Sequence, residues 1–227
     1  MQIKTENNSW VYERLRSSIT SLQLKPGMIL NINDLSDQYK VSRSPLRDAL
    51  LRLERHHLIE IFPQKGTIVS FIDEDTITQE LYLRSSLEVR VLRQFMNLER
   101  TDNQQASIIN KFRSNILLQE GALLTNDLTA FMQHYNNFHS IVFDECGFDR
   151  IKRIIQAHTG NFQRLVMLLS KVGDFPAKAI KEQQEILEAI IAKDEERVVK
   201  LMKAHIIRED LVIPQLKLQF PSFFKQS

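Results

Sequence analysis

The sequence predicts a mainly α chain in two parts: three short helices and a β-hairpin, then an antiparallel all-α bundle of about six helices. Three observations predict it. Apolar residues recur at helical spacing across positions 11–53, two β-prone runs flank a Pro/Gly turn at positions 58–71, and strand-like stretches give way to long amphipathic segments from Asp73 onward. With 227 residues and 43% hydrophobic content, both parts have enough apolar material to fill a core.

Val11, Leu15, Ile19 and Leu22 share one face of a first helix, which Lys25-Pro26-Gly27 ends with a turn-forming pair. Asn33 or its neighbour can cap a short second helix through Tyr39, with Leu35 inward, before Lys40-Val41-Ser42 makes a tight connection. Ser44 before Pro45 reads as the start of a third helix, because a serine oxygen can cap bare amides and proline at the first helical position loses no bond. Leu46, Ala49, Leu50 and Leu53 form its apolar stripe. Leu58–Phe62 and Thr67–Phe71 then read as strands around Pro63-Gln64-Lys65-Gly66. Three short helices followed by a hairpin make a winged helix-turn-helix over residues 1–72.

Residues 73–78 are expected to be a linker, and 79–213 the all-α part. Amphipathic segments fall at about 77–100, 102–123, 127–144, 148–172, 175–192 and 194–213. Thr101 and Gln104 have capping-box spacing, Asn126 and Asp194 stand where N-caps are expected, and Gly121, Gly147 and Gly173 fall near breaks. The tail, 214–227, carries Phe220, Phe223 and Phe224 around Pro221 and either docks on the bundle or a dimer mate, or frays.

The single cysteine, Cys146, can form neither an intramolecular disulfide nor a thiolate metal cluster, so a reducing compartment costs the protein nothing. Apolar runs such as Leu165–Leu169 fall far short of the roughly 20 residues that span a bilayer. A cytoplasmic protein without a membrane partner is expected. Residues 1–72 hold 10 Lys and Arg against 7 Asp and Glu, while the remainder holds 20 against 21, so the positive excess lies in front.

That excess has a place to act. Arg43 and Arg47 are four apart at the start of the third helix, on one side and off the leucine stripe, where major-groove reading needs donors over an apolar underside. Arginine is the preferred bidentate reader of guanine, and Ser42 and Ser44 can donate to phosphate beside it. Arg52 is expected in an auxiliary backbone role, and Lys65-Gly66 at the hairpin tip can reach the flanking minor groove. The plain alternative is a solvated basic helix face.

Leu24-Lys25-Pro26-Gly27-Met28-Ile29-Leu30, Leu35-Ser36, Val41-Ser42-Arg43-Ser44-Pro45-Leu46-Arg47-Asp48-Ala49-Leu50, Leu53 and Gly66-Thr67-Ile68-Val69 together resemble the N-terminal domain of the GntR family of regulators. The resemblance implies base contacts by Arg43 and Arg47, phosphate contacts by Ser42 and Ser44, and a wing tip at Gly66. Asn33 departs from it, standing where relatives often carry a basic residue that touches DNA.

The helical part is similar to the C-terminal domain of the FadR subgroup, the metal-binding FCD type, through Leu83-Arg84 with Leu87-Glu88, Phe138-His139, and the stretch from Glu185 through Asp194 and Met202 to His205. In relatives that bind a divalent ion, the resemblance implies an Asp and three His; here Tyr135 and Gln183 replace two of them, leaving His139 and His205. Two readings of that pair stay open: ligands of a divalent ion such as zinc in an incomplete set, or hydrogen-bonded pocket and core residues. Without metal, an acidic effector needs another anchor, for which Arg84 and Arg164 are the candidates, although an arginine so placed can instead pair with Glu80 or Glu88. Tyr135, His139, Gln183 and His205 complete the expected effector site.

These readings converge on a homodimeric regulator, not an enzyme, that binds a double-stranded operator and whose affinity a small molecule, an acidic metabolite, alters through the helical part. Two alternatives from other classes are a metal-dependent enzyme built on His134, His139 and His205, and a winged helix used for protein contacts.

Overall fold

The computed structural model describes residues 2–64, 66–207 and 213–226. Its elements run α1 (Gln2–Thr20), β1 (Ile29–Leu30), α2 (Ile32–Tyr39), α3 (Arg43–Arg55), β2 (Ile59–Phe62), β3 (Gly66–Val69), α4 (Glu74–Met96), α5 (Asp102–Leu124), α6 (Leu128–Glu145), α7 (Asp149–Ala157), α8 (Gly160–Val172), α9 (Phe175–Ile191), α10 (Glu195–Ile207) and α11 (Ile213–Gln219), with a short 3-10 helix at Pro221–Phe223. The class is as expected: mainly helical, with a small sheet confined to the N-terminal part.

Two compact units divide the chain. The first takes residues up to Ile77 together with Ala157–Met167 and the segment from Ile213 onward; the second takes Thr78–Gln156 and the chain from Leu168 to Ile207.

In the first unit, Val11, Leu15 and Ile19 of α1 meet Leu35 of α2, the α3 stripe Leu46, Ala49, Leu50 and Leu53, and the strand residues Leu30, Ile59 and Val69 in one core. Helical periodicity in the sequence places the helix residues among them inward. Asn31, not Asn33, caps α2, its side chain accepting from the Asn33 amide at 2.9 Å. The turn to α3 is tightened by Lys40 in the left-handed region (φ 52°) and by Ser36 Oγ donating to the Val41 carbonyl at 2.6 Å. Ser42, not Ser44, occupies the N-cap position of α3, which places Pro45 inside the first turn, where an amide hydrogen still has no helical partner to lose.

The sheet has three strands, not two, in the order β1-β3-β2, all antiparallel. Gly27, at φ +78°, donates to the Val69 carbonyl at 2.8 Å and brings β1 alongside β3. A two-residue strand carries no alternation to read.

Of the expected linker at 73–78, residues 74–78 are helix instead. Asp73 stands just before α4, its side chain accepting from Thr76 Oγ1 at 2.8 Å and its carbonyl from the Ile77 amide at 3.0 Å. The tail docks, but at Ile72 of the first unit and not on the bundle: α11 and the 3-10 helix lead to Phe224, 2% exposed, which bridges to Ile72 in parallel. The Ile72 amide donates to the Phe223 carbonyl at 2.8 Å, and the Lys225 amide donates back to Ile72 at 3.0 Å.

The second unit has helices and connecting turns but no strand among its described residues. Thr101 and Gln104 make the predicted capping box around the start of α5, and Asp194 caps α10, accepting from the Arg197 amide at 3.0 Å. Asp127, rather than Asn126, caps α6, because Asn126 is spent on a left-handed turn at φ 55°. The segment expected as one helix over 148–172 is two, α7 and α8. The expected end of the 194–213 helix falls partly on residues 208–212, which lie outside the described residues, and Ile213 already belongs to α11.

Candidate functional site

Two groups of side chains carry chemistry, one in each unit. On α3, Ser42, Arg43, Ser44 and Arg47 are exposed at the N-terminal end, while Leu46, Ala49, Leu50 and Leu53 are buried behind them. Among the described residues, neither Arg43 nor Arg47 lies within ion-pair distance of a carboxylate. Arg43 Nη2 donates to Asn33 Oδ1 at 2.9 Å, so Asn33 of α2 orients the Arg43 side chain at the start of α3. That link joins positions ten apart across the turn, and no spacing rule announces it.

Arg52, half-buried, lies with its guanidinium carbon 3.9 Å from the centre of the Tyr12 ring, a stacking that competes with the auxiliary backbone role expected for it. Gly66 is exposed at φ +110°, opposite Phe62 in the β2–β3 pairing, a conformation only glycine adopts without strain. Lys65, its expected companion, lies outside the described residues. Ser42, Arg43, Ser44 and Arg47 therefore share one solvent-facing helix start: four donor side chains above an apolar base.

In the second unit, Arg84, Tyr135, His139 and His205 come together. Arg84 Nε donates to Glu88 Oε1 at 2.7 Å, and Glu88 Oε2 meets His139 Nδ1 at 2.9 Å. Burial alone would raise the Glu88 carboxyl, but Arg84 and His139 outweigh it and hold its pKa down at about 2. His205 Nδ1 meets Glu182 Oε2 at 2.6 Å, and the His139 and His205 rings stack with centroids 5.2 Å apart. Tyr135 packs against both rings, at 5.4 and 5.5 Å. Gln183 is reached from another direction, accepting at Oε1 from Gln119 Nε2 at 2.6 Å. Gln119, fully buried, also donates to Asn115 at 2.8 Å, and α5 carries no motif that would have singled it out.

Arg164 is placed differently from the expectation. It groups with the first unit, fully buried, and its guanidinium donates to the Ser70 carbonyl at 2.6 Å and also to Asn161 Oδ1. The effector-anchoring role expected of it finds no support in this geometry, since the fork is spent on the chain just after the wing.

A divalent ion does not fit the donors present. Pairing of Nδ1 with a carboxylate still allows each histidine to ligate through Nε2, but Tyr135 supplies a ring face, Gln183 supplies an amide already bonded to Gln119, and no three His, Cys, Asp or Glu among the described residues are grouped to hold an ion. A cleft of about 580 Å³ between α9 and α10 is lined by Glu182 and His205 together with Lys178, Glu185, Leu201 and Lys203. Its size suits a small molecule.

A three-helix reading head with a β wing, followed by a helical unit with a polar interior, defines a winged-helix transcription regulator. Residues 7–69 match the model for bacterial regulatory proteins of the gntR family, and residues 80–208 match the FCD domain. The chain belongs to the GntR family of transcription regulators, in the branch that carries an FCD domain. Among its relatives, an HTH-type transcriptional regulator in an unstable DNA locus of Streptomyces ambofaciens is 25% identical over 96% of this chain and 89% of its own. The HTH-type transcriptional repressor RspR of Escherichia coli is 22% identical over 96% and 94%. Among solved structures, E. coli McbR/YncC superposes with a TM-score of 0.76 at 19% identity, covering 94% of this chain and 98% of that one. Domains and relatives alike are those of transcription regulators, not enzymes, and the GntR domain implies DNA as a partner. No described helix is long and apolar enough to cross a membrane.

Proposed function

We propose that the chain acts in the cytoplasm as a homodimer on a double-stranded operator, with Arg43 and Arg47 reading base edges, Ser42 and Ser44 holding phosphates, and a small effector in the helical unit altering that affinity. The observation that carries it is the exposure of both guanidinium groups at the start of α3 above a fully apolar base. Gly66, exposed at the tip of the β2–β3 hairpin, supports a wing contact beside it. Exposed cations on a reading helix are worth most where phosphates and guanine edges lie within reach, which is the major groove.

The test is a selection of duplex fragments by the full-length protein, followed by affinity measurements over a range of salt. A recovered inverted repeat and a steep fall of affinity with salt support a dimer on DNA. Equal binding to every duplex would remove the base-reading assignment, and salt-independent binding would remove the phosphate contacts. RspR is named a transcriptional repressor, which makes repression the first outcome to assay for this chain.

A further inference from the structure

The interior of the helical unit contains a chain of amides that closes on neither end. Gln119 Nε2 donates to Asn115 Oδ1 at 2.8 Å and to Gln183 Oε1 at 2.6 Å. Gln119 and Gln183 are both fully buried, yet Gln119 Oε1 and Gln183 Nε2 have no hydrogen-bond partner among the described residues. Leaving such an atom unmet in a protein interior is costly, and native interiors rarely tolerate two on adjoining side chains. Turning all three amides over exchanges donor for acceptor but still leaves one edge of each kind open.

We propose that this interior binds a small uncharged ligand of the amide or lactam type, with Gln183 Nε2 donating to its carbonyl and Gln119 Oε1 accepting from its N–H. The inference deepens the effector reading above and rests on it only for the consequence, a change in DNA affinity.

The charge distribution argues for a neutral ligand. An acid at the amides would need a cation beside them: the buried Arg84 is already tied to Glu88, Arg164 belongs to the other unit, and Lys178 and Lys203 line the α9–α10 cleft and not the fully buried amide chain. The carboxylate of Glu182, the chain neighbour of Gln183, would repel it. A divalent ion finds two imidazoles and no third donor of adequate strength. An amide or lactam needs one donor and one acceptor without charge, and those are the two edges left open. Glu182, the chain neighbour of Gln183, lines the α9–α10 cleft, while Gln183 itself is fully buried.

The experiment is thermal unfolding of full-length protein with low-millimolar succinamide, 2-pyrrolidone, succinate or zinc chloride, each alone, with affinity for the selected operator measured in parallel. The expected result is a rise in midpoint of about 2–4 °C with the amide or the lactam, none with succinate or zinc, and loss of the rise in Gln183→Met and in Gln119→Met. A rise with succinate or zinc alone overturns the proposal, as does an amide effect that survives both substitutions. Absence of any shift in the wild-type protein assigns the open edges to a structural water only, which also overturns it. Operator binding that persists in that case leaves the regulator reading standing, whereas protein that responds to amides but binds no DNA overturns the regulator reading alone.

Discussion

Arg164 donates to the carbonyl of Ser70 at 2.6 Å and to its hydroxyl at 3.2 Å, joining residues 94 positions apart. The same guanidinium reaches the Phe71 carbonyl at 3.5 Å and Asn161 Oδ1, so one side chain of α8 holds the chain that leaves the wing. Arg164→Met removes these donors and leaves buried acceptors unmet. A loss of about 2–4 kcal/mol is expected, measured by urea unfolding, with Arg164→Lys recovering only part because an ammonium cannot reproduce the planar fork.

At the start of the same helix, Gly160 leaves room for Leu58. A β-carbon there would lie 2.6 Å from Leu58 Cδ2 and 3.1 Å from its Cγ, and Leu58 is fully buried. Alanine ordinarily favours a helix over glycine by about 1 kcal/mol, but the clash works against a packed core. Gly160→Ala is expected to destabilise by about 1–2 kcal/mol net, and Gly160→Ala with Leu58→Ala to lose less than the two single changes combined. Strict additivity in unfolding measurements would contradict the contact.

His56 accepts from or donates to the Tyr12 hydroxyl at 2.8 Å through Nδ1 and stacks edge-on with His158 at 4.9 Å. Burial, then the neighbouring His158, Arg16, Arg52 and His57, push its pKa from 6.5 to about 4, which makes the neutral ring the folded form. A depressed histidine contributes stability that is fully present above its unfolded pKa and is lost as pH falls from 6.5 toward about 4. Melting of the wild-type protein should therefore fall over that window, and His56→Gln, which keeps an acceptor for Tyr12, should flatten the fall. An unchanged slope would show that other groups set it.

Ile72 is paired on both its amide and its carbonyl by the tail, through Phe223 and Lys225, and Phe224 is buried beside it. Lys217 adds an ion pair to Glu74 at 2.7 Å, with both side chains partly exposed. Phe224→Ala is expected to cost about 2–3 kcal/mol through lost burial, and to raise hydrogen exchange at the Ile72 amide well above that at the Val69 amide, which donates to Met28.

On the reading helix, Arg43→Ala and Arg47→Ala should each weaken operator binding by about 1–3 kcal/mol per half-site and relax base preference, without changing thermal stability. Asn33→Ala should weaken binding by a smaller factor, since it removes the acceptor that steadies Arg43 and no base contact of its own. Full affinity in both arginine variants, read by titration on the selected duplex, would remove α3 from the DNA.

The site was partly legible because some of its relations are local. Arg84 and Glu88 are four apart on α4, a spacing that brings side chains together on any helix, and Arg43 and Arg47 share a face for the same reason. Gln119 and Gln183 are 64 positions apart on separate helices; Gln183 was legible only through the family resemblance, and Gln119 reads alone as an ordinary polar residue. The burial that makes their amides significant is a property of α5 meeting α9.

By itself, the sequence determined what repeats over a few residues: the leucine stripe and exposed arginines of α3, the capping box at Thr101, the hairpin, and the mainly helical character of the described residues beyond Asp73. Tertiary structure alone decided the third strand, the break between α7 and α8, the strap of Phe224 on Ile72, and the use of Arg164 as a support for Ser70. The reason is physical. Periodicity and capping follow from backbone geometry within a turn or two, whereas a strand partner, a steric notch or a buried guanidinium takes its meaning from atoms that only folding brings near.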